Sequence, residues 1–235
     1  MISKLKDIII KYVFRNVGSD RVSDIFIDKG FILNLLSPNP IIIDCGAHIG
    51  SDSIEFAKYP GSTIYAFEPV PEVYEHLINN TKKYPNITCF NLALSDYDGV
   101  AEMYISSGAS DGSSSLLKPK THLTDHPDVF FKEVITVKCN KIDTWAKENN
   151  VSKVDMLWLD MQGFEQKMLT ASKEIFNSVQ VIHTEVSKHE SYEGIKSYKE
   201  FKSFFRKNGF KLIVEAIPKG SYGGNVLFVR NKKNK

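Results

Sequence analysis

Two short segments carry residues that could bind a nucleoside. The first, Ile41-Ile42-Ile43-Asp44-Cys45-Gly46-Ala47-His48-Ile49-Gly50, is an apolar run that leads into a glycine turn. The second, Tyr65-Ala66-Phe67-Glu68-Pro69, is an apolar run that ends on a carboxylate. Glycines allow a close approach of the backbone to a ligand, and an acid at the tip of the neighbouring strand can accept hydrogen bonds from both ribose hydroxyls. The candidate ligand contacts are therefore Gly46, Ala47, His48, Gly50, Glu68 and Pro69.

The acid at position 44 narrows the class of ligand. In the dinucleotide fingerprint G-x-G-x-x-G the last two glycines are three residues apart, but the third residue after Gly46 is Ile49. Asp44 also places a carboxylate where phosphate oxygens would approach, which disfavours a pyrophosphate. A carboxylate suits a cationic ligand such as S-adenosylmethionine (SAM), with its sulfonium and amino group. An oxidoreductase that uses a nicotinamide dinucleotide on a similar fold is the alternative.

A third predicted strand ends in polar residues at the same edge of the sheet. The segment Asn91-Leu92-Ala93-Leu94-Ser95-Asp96 places Ser95 and Asp96 where an adenine ring would lie. Asp96 could accept a hydrogen bond from the adenine amino group. A capping or turn role before Gly99 is the alternative.

Candidate catalytic groups follow two further apolar strands. Asp160 lies at the tip of one of them. The next strand carries His183 and Glu185, whose side chains are expected on the same side because strand residues two apart point alike. His189, just beyond, would overhang the pocket. Each could remove a hydroxyl proton, although a histidine within a strand is more commonly a core residue.

The elements that position these residues are predicted to form an α/β fold. Apolar runs alternate with helical patterns from residue 41 onward, which indicates a mostly parallel sheet with helices on both faces. Strands are predicted near 41–45, 63–67, 87–92, 154–160, 179–185, 210–216 and 225–230, and helices at 50–59, 71–83, 164–172 and 197–208. The last two strands are joined by a loop too short for a crossover helix, so they are expected to be antiparallel.

An insertion at about 106–131 interrupts this alternation, between two additional predicted strands at 100–105 and 134–138. It begins with the serine-rich loop, Ser106 to Ser115. A long irregular insertion is usually a functional lid or a disordered segment. The apolar residues Leu116, Leu117, Phe130 and Phe131 favour a lid, because they give the segment something to bury.

Composition excludes several classes of protein. The 235 residues, 42% of them hydrophobic, suit one domain at 41–235 with an N-terminal extension at 1–40. A net charge of +2 without a basic aromatic cluster argues against a nucleic-acid partner. The three cysteines predict neither a disulfide framework nor a zinc site, so a reducing cytoplasm is expected. His122 and His126 lie between prolines, and no metal site is predicted there.

The N-terminal extension contains an amphipathic helical pattern. Leu5, Ile8, Ile9, Tyr12 and Val13 recur at helical spacing. The apolar stretch is too short for a signal peptide or a membrane span. The helix is expected to pack on the domain or on a second copy of the chain, forming a homodimer, rather than on a membrane surface.

Several motifs, in order along the chain, resemble those of the FkbM-type SAM-dependent methyltransferases: Ile43-Asp44-Cys45-Gly46-Ala47-His48-Ile49-Gly50, Phe67-Glu68-Pro69, Ala93-Leu94-Ser95-Asp96, Ser114-Ser115-Leu116, Ile142-Asp143-Thr144-Trp145 and Leu159-Asp160-Met161-Gln162-Gly163-Phe164-Glu165. The resemblance implies a class I methyltransferase sheet of seven strands, the last one antiparallel. It also implies methyl transfer to a hydroxyl oxygen, often on a sugar of a glycan or natural product. It assigns SAM contacts to Asp44, Gly46, Glu68 and Asp96, and a place at the active-site edge to Asp160.

The chain departs from the family pattern at two positions. Trp158 and Gln162 stand where the family frequently has lysine and glutamate. Gln162 cannot act as a base, and an acid-rich metal site is disfavoured. These departures leave a non-catalytic SAM-binding or partner-binding domain as a further alternative.

Overall fold

The computed structural model describes residues 27–231. Its strands are β1 (Ile41–Cys45), β2 (Thr63–Phe67), β3 (Ile87–Phe90), β4 (Ala93–Leu94), β5 (Gly99–Gly108), β6 (Val129–Asn140), β7 (Met156–Leu159), β8 (Val181–Ser187), β9 (Phe210–Ala216) and β10 (Gly223–Arg230). Its helices are α1 (Lys29–Leu33), α2 (Ser51–Ala57), α3 (Pro71–Thr81), α4 (His122–Asp125), α5 (Ile142–Glu148), α6 (Glu165–Ala171), α7 (Lys173–Ser178) and α8 (Tyr198–Lys207).

Seven strands form the main sheet in the order β3-β2-β1-β7-β8-β10-β9. Strand β1 pairs in parallel with β2 and β7, whereas β10 runs antiparallel to β8 and β9. The order of the strands reverses beside β1, and ligands of open α/β sheets bind at such a point, beyond the carboxyl ends of the strands. This topology confirms the predicted class I methyltransferase fold.

The insertion builds a second, three-stranded sheet in the order β4-β6-β5. Strands β5 and β6 pair antiparallel and are longer than the sequence predicted. Between them the chain folds back on β5, because Tyr104 and Ser115 exchange backbone hydrogen bonds of 2.9 and 3.1 Å. Pro119 further along forms a bridge with Tyr192. The insertion is therefore held against both β5 and the segment after β8.

Helices cover both faces of the main sheet, so its central strands are apolar on both sides. Ile42 and Ile43 of β1 are fully buried, which explains the continuous apolar run. On one face Trp145 of α5 packs edge-on against Tyr65 and Phe67, with ring centroids 4.9 Å apart in each pair. On the other face the Phe56 ring lies 5.1 Å from Trp158. These contacts fix the strand tips at which the polar residues emerge.

Some elements were not expected from the sequence. Helices α1, α4, α5 and α7 have four to seven residues, which is too short for a clear apolar period. Helix α8 was predicted, and Ser197 and Glu200 form a capping box at its start. The amphipathic pattern at residues 5–13 lies outside the described residues. Within residues 27–231 the structure shows no helix of the length and apolarity needed to cross a membrane.

Candidate active site

The turn after β1 approaches the turn after β7 closely. Gly46 has a φ of +82°, and a Cβ atom on it would lie 2.0 Å from the backbone oxygen of Asp160. The Gly46 and Ala47 amides donate to the Phe67 carbonyl at the end of β2, at 3.0 and 2.9 Å. Only glycine fits this position, because any other residue would meet both backbone strain and a steric clash.

Gly50 serves packing rather than direct lining of the site. It precedes α2 with a φ of +88°, and a Cβ atom would lie 2.7 Å from Leu77 and 2.9 Å from Thr81, both on α3. The missing side chain therefore lets α2 start close to α3. Gly50 does not line the cavity described below.

Glu68 lies at the tip of β2, beside the glycine turn, and is only 5% exposed. Its Oε2 accepts from the His48 amide at 3.0 Å, and its Oε1 accepts from the Val70 amide at 2.8 Å. Burial raises the pKa of Glu68 to about 7, against the opposing effect of those two amides. Each carboxylate oxygen accepts one bond from the protein and keeps a lone pair for a ligand hydroxyl.

Asp44 lies beneath the turn, at 1% exposure. Its Oδ2 accepts a hydrogen bond from the Ser53 hydroxyl at 2.6 Å. Burial raises the pKa of Asp44 to about 7, and the nearby carboxylates of Asp52 and Asp160 add to this effect. Asp44 does not itself line the cavity, so it acts on a ligand there through its charge and through the position of the turn.

A cavity of about 260 Å³ lies beyond the tips of β1 and β2. We call it the first cavity. Of the predicted contacts, Gly46, Ala47, His48, Glu68, Pro69 and Asp160 line it. Apolar side chains form the wall next to Glu68, among them Val73, Leu92, Met103 and Leu116. A polar edge beside an apolar wall suits a nucleoside, since the ribose and the base need different surroundings.

Ser95 and Asp96 do not reach the first cavity. The chain leaves the main sheet after β3, and β4 joins β6 in the small sheet, where the Ser95 amide donates to the Asn140 carbonyl at 2.8 Å. Ser95 and Asp96 instead line a separate surface depression with Tyr97 and Lys118. The predicted contact of Ser95 and Asp96 with an adenine ring assumed that the third strand continues in the main sheet. That contact stays a prediction.

The serine-rich loop forms the outer wall of the first cavity, through Asp111, Gly112, Ser114 and Ser115. Asp111 Oδ1 lies 3.2 Å from His48 Nε2, which joins the loop to the glycine turn. The Ser115 hydroxyl donates to the Gln162 carbonyl at 3.0 Å. Leu117, which follows, is 7% exposed. The loop thus spans from the turn after β1 to the turn after β7.

A second cavity, of about 500 Å³, opens on the other side of this loop. Gly112 and Asp160 line both cavities, so Asp160 stands at their junction. Glu185 lines the second cavity, as do the aromatic residues Tyr192, Tyr198, Phe201 and Tyr222. The arrangement provides a place for one ligand on each side of the Asp160 carboxylate.

Asp160 and Glu185 are joined through one amide. Gln162 Nε2 donates to Asp160 Oδ1 at 2.7 Å and to Glu185 Oε2 at 3.0 Å. Both residues are exposed at the surface of the site. The protein packed around the two carboxyls nevertheless disfavours their charged forms, which raises the pKa of each, and the charge of Glu185 raises that of Asp160 further. Such a pair can hold or accept a proton near neutral pH.

The two histidines lie away from both cavities. Strand β7 ends at Leu159, opposite Thr184, so Glu185 lies one residue beyond the end of β7, whereas His183 lies opposite Trp158. At Glu185 strand β8 is still paired with β10. The His183 ring stacks on Trp158 at 3.5 Å, and burial lowers its pKa to about 3. His189 is exposed, with Nδ1 3.6 Å from Asp125 Oδ2. Of the two strand residues predicted as proton acceptors, Glu185 lines the second cavity and His183 lines neither cavity.

Two residues at the junction were not singled out from the sequence. Gln162 was noted only as a residue that cannot be a base, yet it holds both carboxylates. Tyr192, 2% exposed, donates toward Gln162 Oε1 at 3.0 Å. The Gln162-Gly163 pair, with φ values of +50° and +97°, gave the one local signal, because a glycine turn was visible there. Within residues 27–231 no group of three or more metal-ligating side chains is present.

Comparison with known proteins agrees with this geometry. Residues 44–212 match the Methyltransferase FkbM domain. The chain is 30% identical over 178 residues to the 2-O-methyltransferase NoeI of Sinorhizobium fredii, covering 73% of each chain. It is also 43% identical over 58 residues to the methyltransferase sdnD of Sordaria araneosa, covering 24% of this chain and 22% of that protein.

Solved structures show the same fold. A fibrillarin from Methanococcus jannaschii matches with a TM-score of 0.51 and 16% identity, covering 84% of this chain and 70% of that one. The fibrillarin of Aeropyrum pernix, solved with natively bound SAM, matches with a TM-score of 0.51 and 13% identity, covering 83% and 68%. The oxidoreductase alternative is therefore set aside. The chain belongs to the FkbM family of methyltransferases, and its cofactor is S-adenosylmethionine.

Proposed function

We propose that this chain transfers the methyl group of SAM to a hydroxyl oxygen, on a sugar of a glycan or natural product. The observation that carries the proposal is the position of Asp160, which lines both cavities and is paired with Glu185. The name of NoeI, a 2-O-methyltransferase, supports an oxygen acceptor. The cytoplasmic location and the homodimer predicted from the sequence stay predictions.

The residues of the first cavity fit the cofactor. Glu68 has free lone pairs for the ribose hydroxyls, and the apolar wall next to it suits the adenine ring. Gly46 brings the backbone close to the ligand, and the buried Asp44 carboxylate places negative charge beneath it. Bound SAM supplies a methyl group that its sulfonium already activates for transfer. The protein therefore has to align the acceptor oxygen and remove its proton.

We assign proton removal to the carboxylate pair. Asp160 and Glu185 have raised pKa values, which makes the ionised form of either a better proton acceptor than an ordinary carboxylate. The Gln162 amide donates to both, so a proton gained by one is accommodated without breaking the pair. His183 and His189 are not needed for this step, because neither lines a cavity.

The second cavity supplies the surfaces that a sugar requires. Its lining includes the aromatic residues Tyr192, Tyr222 and Phe201, and the C–H side of a pyranose can pack on an aromatic ring. Polar groups stand beside them, including Ser113, Gln166 and Lys196, which can bind hydroxyls. A cavity with apolar walls and a few fixed polar groups is typical of a small-molecule site.

A comparison of acceptors tests the proposal. The full chain is incubated with SAM carrying an isotope-labelled methyl group and with matched glycosides that offer a free hydroxyl, an amine or a deoxy position. The proposal expects label only in methyl ethers, identified by the chemical shift of the transferred methyl, and none in the deoxy compound. Label transferred to the amine but not to any hydroxyl would contradict an oxygen acceptor. SAM binding without transfer to any acceptor would favour the non-catalytic alternative.

A further inference from the structure

Gln162 uses both N–H groups and the oxygen of its side-chain amide in contacts with neighbouring protein. A primary amide has two N–H groups, so the bonds to Asp160 and Glu185 form at the same time. The amide oxygen accepts from the Tyr192 hydroxyl at 3.0 Å. Hydrogen bonds therefore hold both the nitrogen and the oxygen of the amide in place.

The orientation of this amide matters. A flipped amide would turn its oxygen toward two carboxylates, which repel it, and would leave both without the Gln162 donor. The Tyr192 hydroxyl lies between Gln162 Oε1 and the Ser113 carbonyl, 2.7 Å from the latter. A hydroxyl has one proton, so Tyr192 donates to one of these acceptors at a time. When it donates to Gln162, it holds the amide nitrogen toward the carboxylates.

The backbone of Gln162 is held as well. Its φ of +50° is unusual for a residue with a side chain, and its carbonyl accepts from the Ser115 hydroxyl at 3.0 Å. On Gly163 a Cβ atom would lie 2.5 Å from Ile195 Cγ2, so the segment after β8 packs directly on this turn. Loops on both sides therefore fix the turn from which the amide extends.

We propose that Gln162 is a positioning residue that holds Asp160 and Glu185 together as one proton-accepting pair, and that Tyr192 fixes the orientation of its amide. The inference deepens the proposed function and rests on it for the role of the pair. Loss of solvation raises the pKa of each carboxyl, and the hydrogen bond that Gln162 donates lowers it. Without the amide, both groups would keep their protons to a higher pH.

Ionisable groups on the surrounding elements act on the pair as well. The acids that face it or lie just behind it are Asp44, Asp52, Glu68 and Glu165. The basic groups on the far wall of the second cavity are His122, His126 and Lys196. Within residues 27–231 none of these groups bonds to either carboxylate, whereas Gln162 bonds to both. The amide is the contact whose loss changes both carboxyls at once.

A titration without acceptor tests the inference. Side-chain carboxyl carbons of Asp160 and Glu185 are followed by NMR against pH in the full chain and in Gln162→Glu, which removes two donors and adds a charge. We expect the titration of the pair to move upward by about one pH unit or more. Gln180→Glu is the matched control, because Gln180 is exposed and lies outside both cavities. Circular dichroism verifies that each variant is folded.

A second variant tests the orientation of the amide without adding the charge that Gln162→Glu introduces. Tyr192→Phe should move the same titration upward by a smaller amount, whereas Tyr74→Phe, whose hydroxyl donates to the Cys89 carbonyl, should not. Equal titrations in Gln162→Glu and Gln180→Glu would overturn the inference, even if hydroxyl acceptors are methylated. A shifted titration in a chain that methylates no hydroxyl would keep the positioning role and overturn the proposed function.

Discussion

Asp160 is the central residue of the proposed mechanism. It lines both cavities, its backbone oxygen lies against Gly46, and its side chain is bonded to Gln162. Its neighbour Glu185 comes from the next strand and is reached through the same amide. In the proposed function, this pair of carboxylates takes the proton of the acceptor hydroxyl, and the step needs no metal ion.

Glu68 should contribute strongly to cofactor binding. We expect Glu68→Ala to weaken binding of SAM and of its demethylated product by about 1.5–3 kcal/mol, because charge-assisted bonds to the ribose are lost. Isothermal calorimetry measures this, with Glu72→Ala, an exposed acid in the first turn of α3, as the control. Unchanged affinity in a folded Glu68→Ala chain would show that Glu68 does not bind the cofactor.

Asp44 should make stability depend on pH. Its folded pKa of about 7 lies above the ordinary value of 3.8, so the folded chain binds more protons between these values. The stability present below the lower value is therefore lost as the pH rises through about 7. We expect the cofactor-free chain to lose about 4 kcal/mol of stability through this group, and Asp44→Asn to reduce that loss. Urea denaturation across this range measures it, and the exposed Asp128→Asn should leave the slope unchanged.

The strand tips illustrate how far the sequence predicts this site. The apolar runs ending at Cys45, Phe67 and Leu159 were predictable because buried parallel strands are continuous in hydrophobicity. The departure of Ser95 and Asp96 was not, because β4 has two residues and its partner β6 lies more than thirty residues away along the chain. The burial of His183 also depended on where β7 ends, which the sequence does not specify to one residue.

The turn after β1 provides a test at the level of an element. Gly46 and Gly194 both have positive φ, but a Cβ atom would clash only at Gly46, while Gly194 has open space. Alanine should strain the backbone at both positions, but its Cβ atom should clash with neighbouring atoms only at position 46. We expect Gly46→Ala to lower the free energy of unfolding clearly more than Gly194→Ala, and to abolish SAM binding. Chemical denaturation and calorimetry measure the two effects, and similar losses in both variants would refute a close approach between the two turns.

The serine-rich loop should respond to ligands. It separates the two cavities and is held largely by hydrogen bonds among Ser106, Ser113 and Ser114, with Leu117 as its buried anchor. Such polar contacts open readily, so we expect fast hydrogen exchange across residues 106–116 without ligand and slower exchange with SAM and an acceptor. Exchange measured by mass spectrometry tests this. Equal exchange in every state would mean that the segment is a passive surface loop.

At the scale of the whole molecule, the main sheet and the inserted hairpin form different parts of the site. The main sheet brings the glycine turn, Glu68 and Asp160 to one edge, and the insertion places a wall across that edge. The sheet was predictable from its apolar periodicity. The position of the insertion was not, since it depends on contacts such as Ser115 with Gln162 and Pro119 with Tyr192, which join distant parts of the chain.

The most direct test of the account is the turnover number of Asp160→Asn and Glu185→Gln, measured at saturating SAM on a hydroxyl acceptor. Loss of a general base typically costs about 10²–10⁴-fold, so we expect the double variant to lose activity in that range while SAM affinity changes little. Chelation of divalent metals should leave the activity of the unaltered chain unchanged. Full turnover in the double variant, or activity abolished by EDTA and restored by a divalent ion, would contradict proton removal by the carboxylate pair.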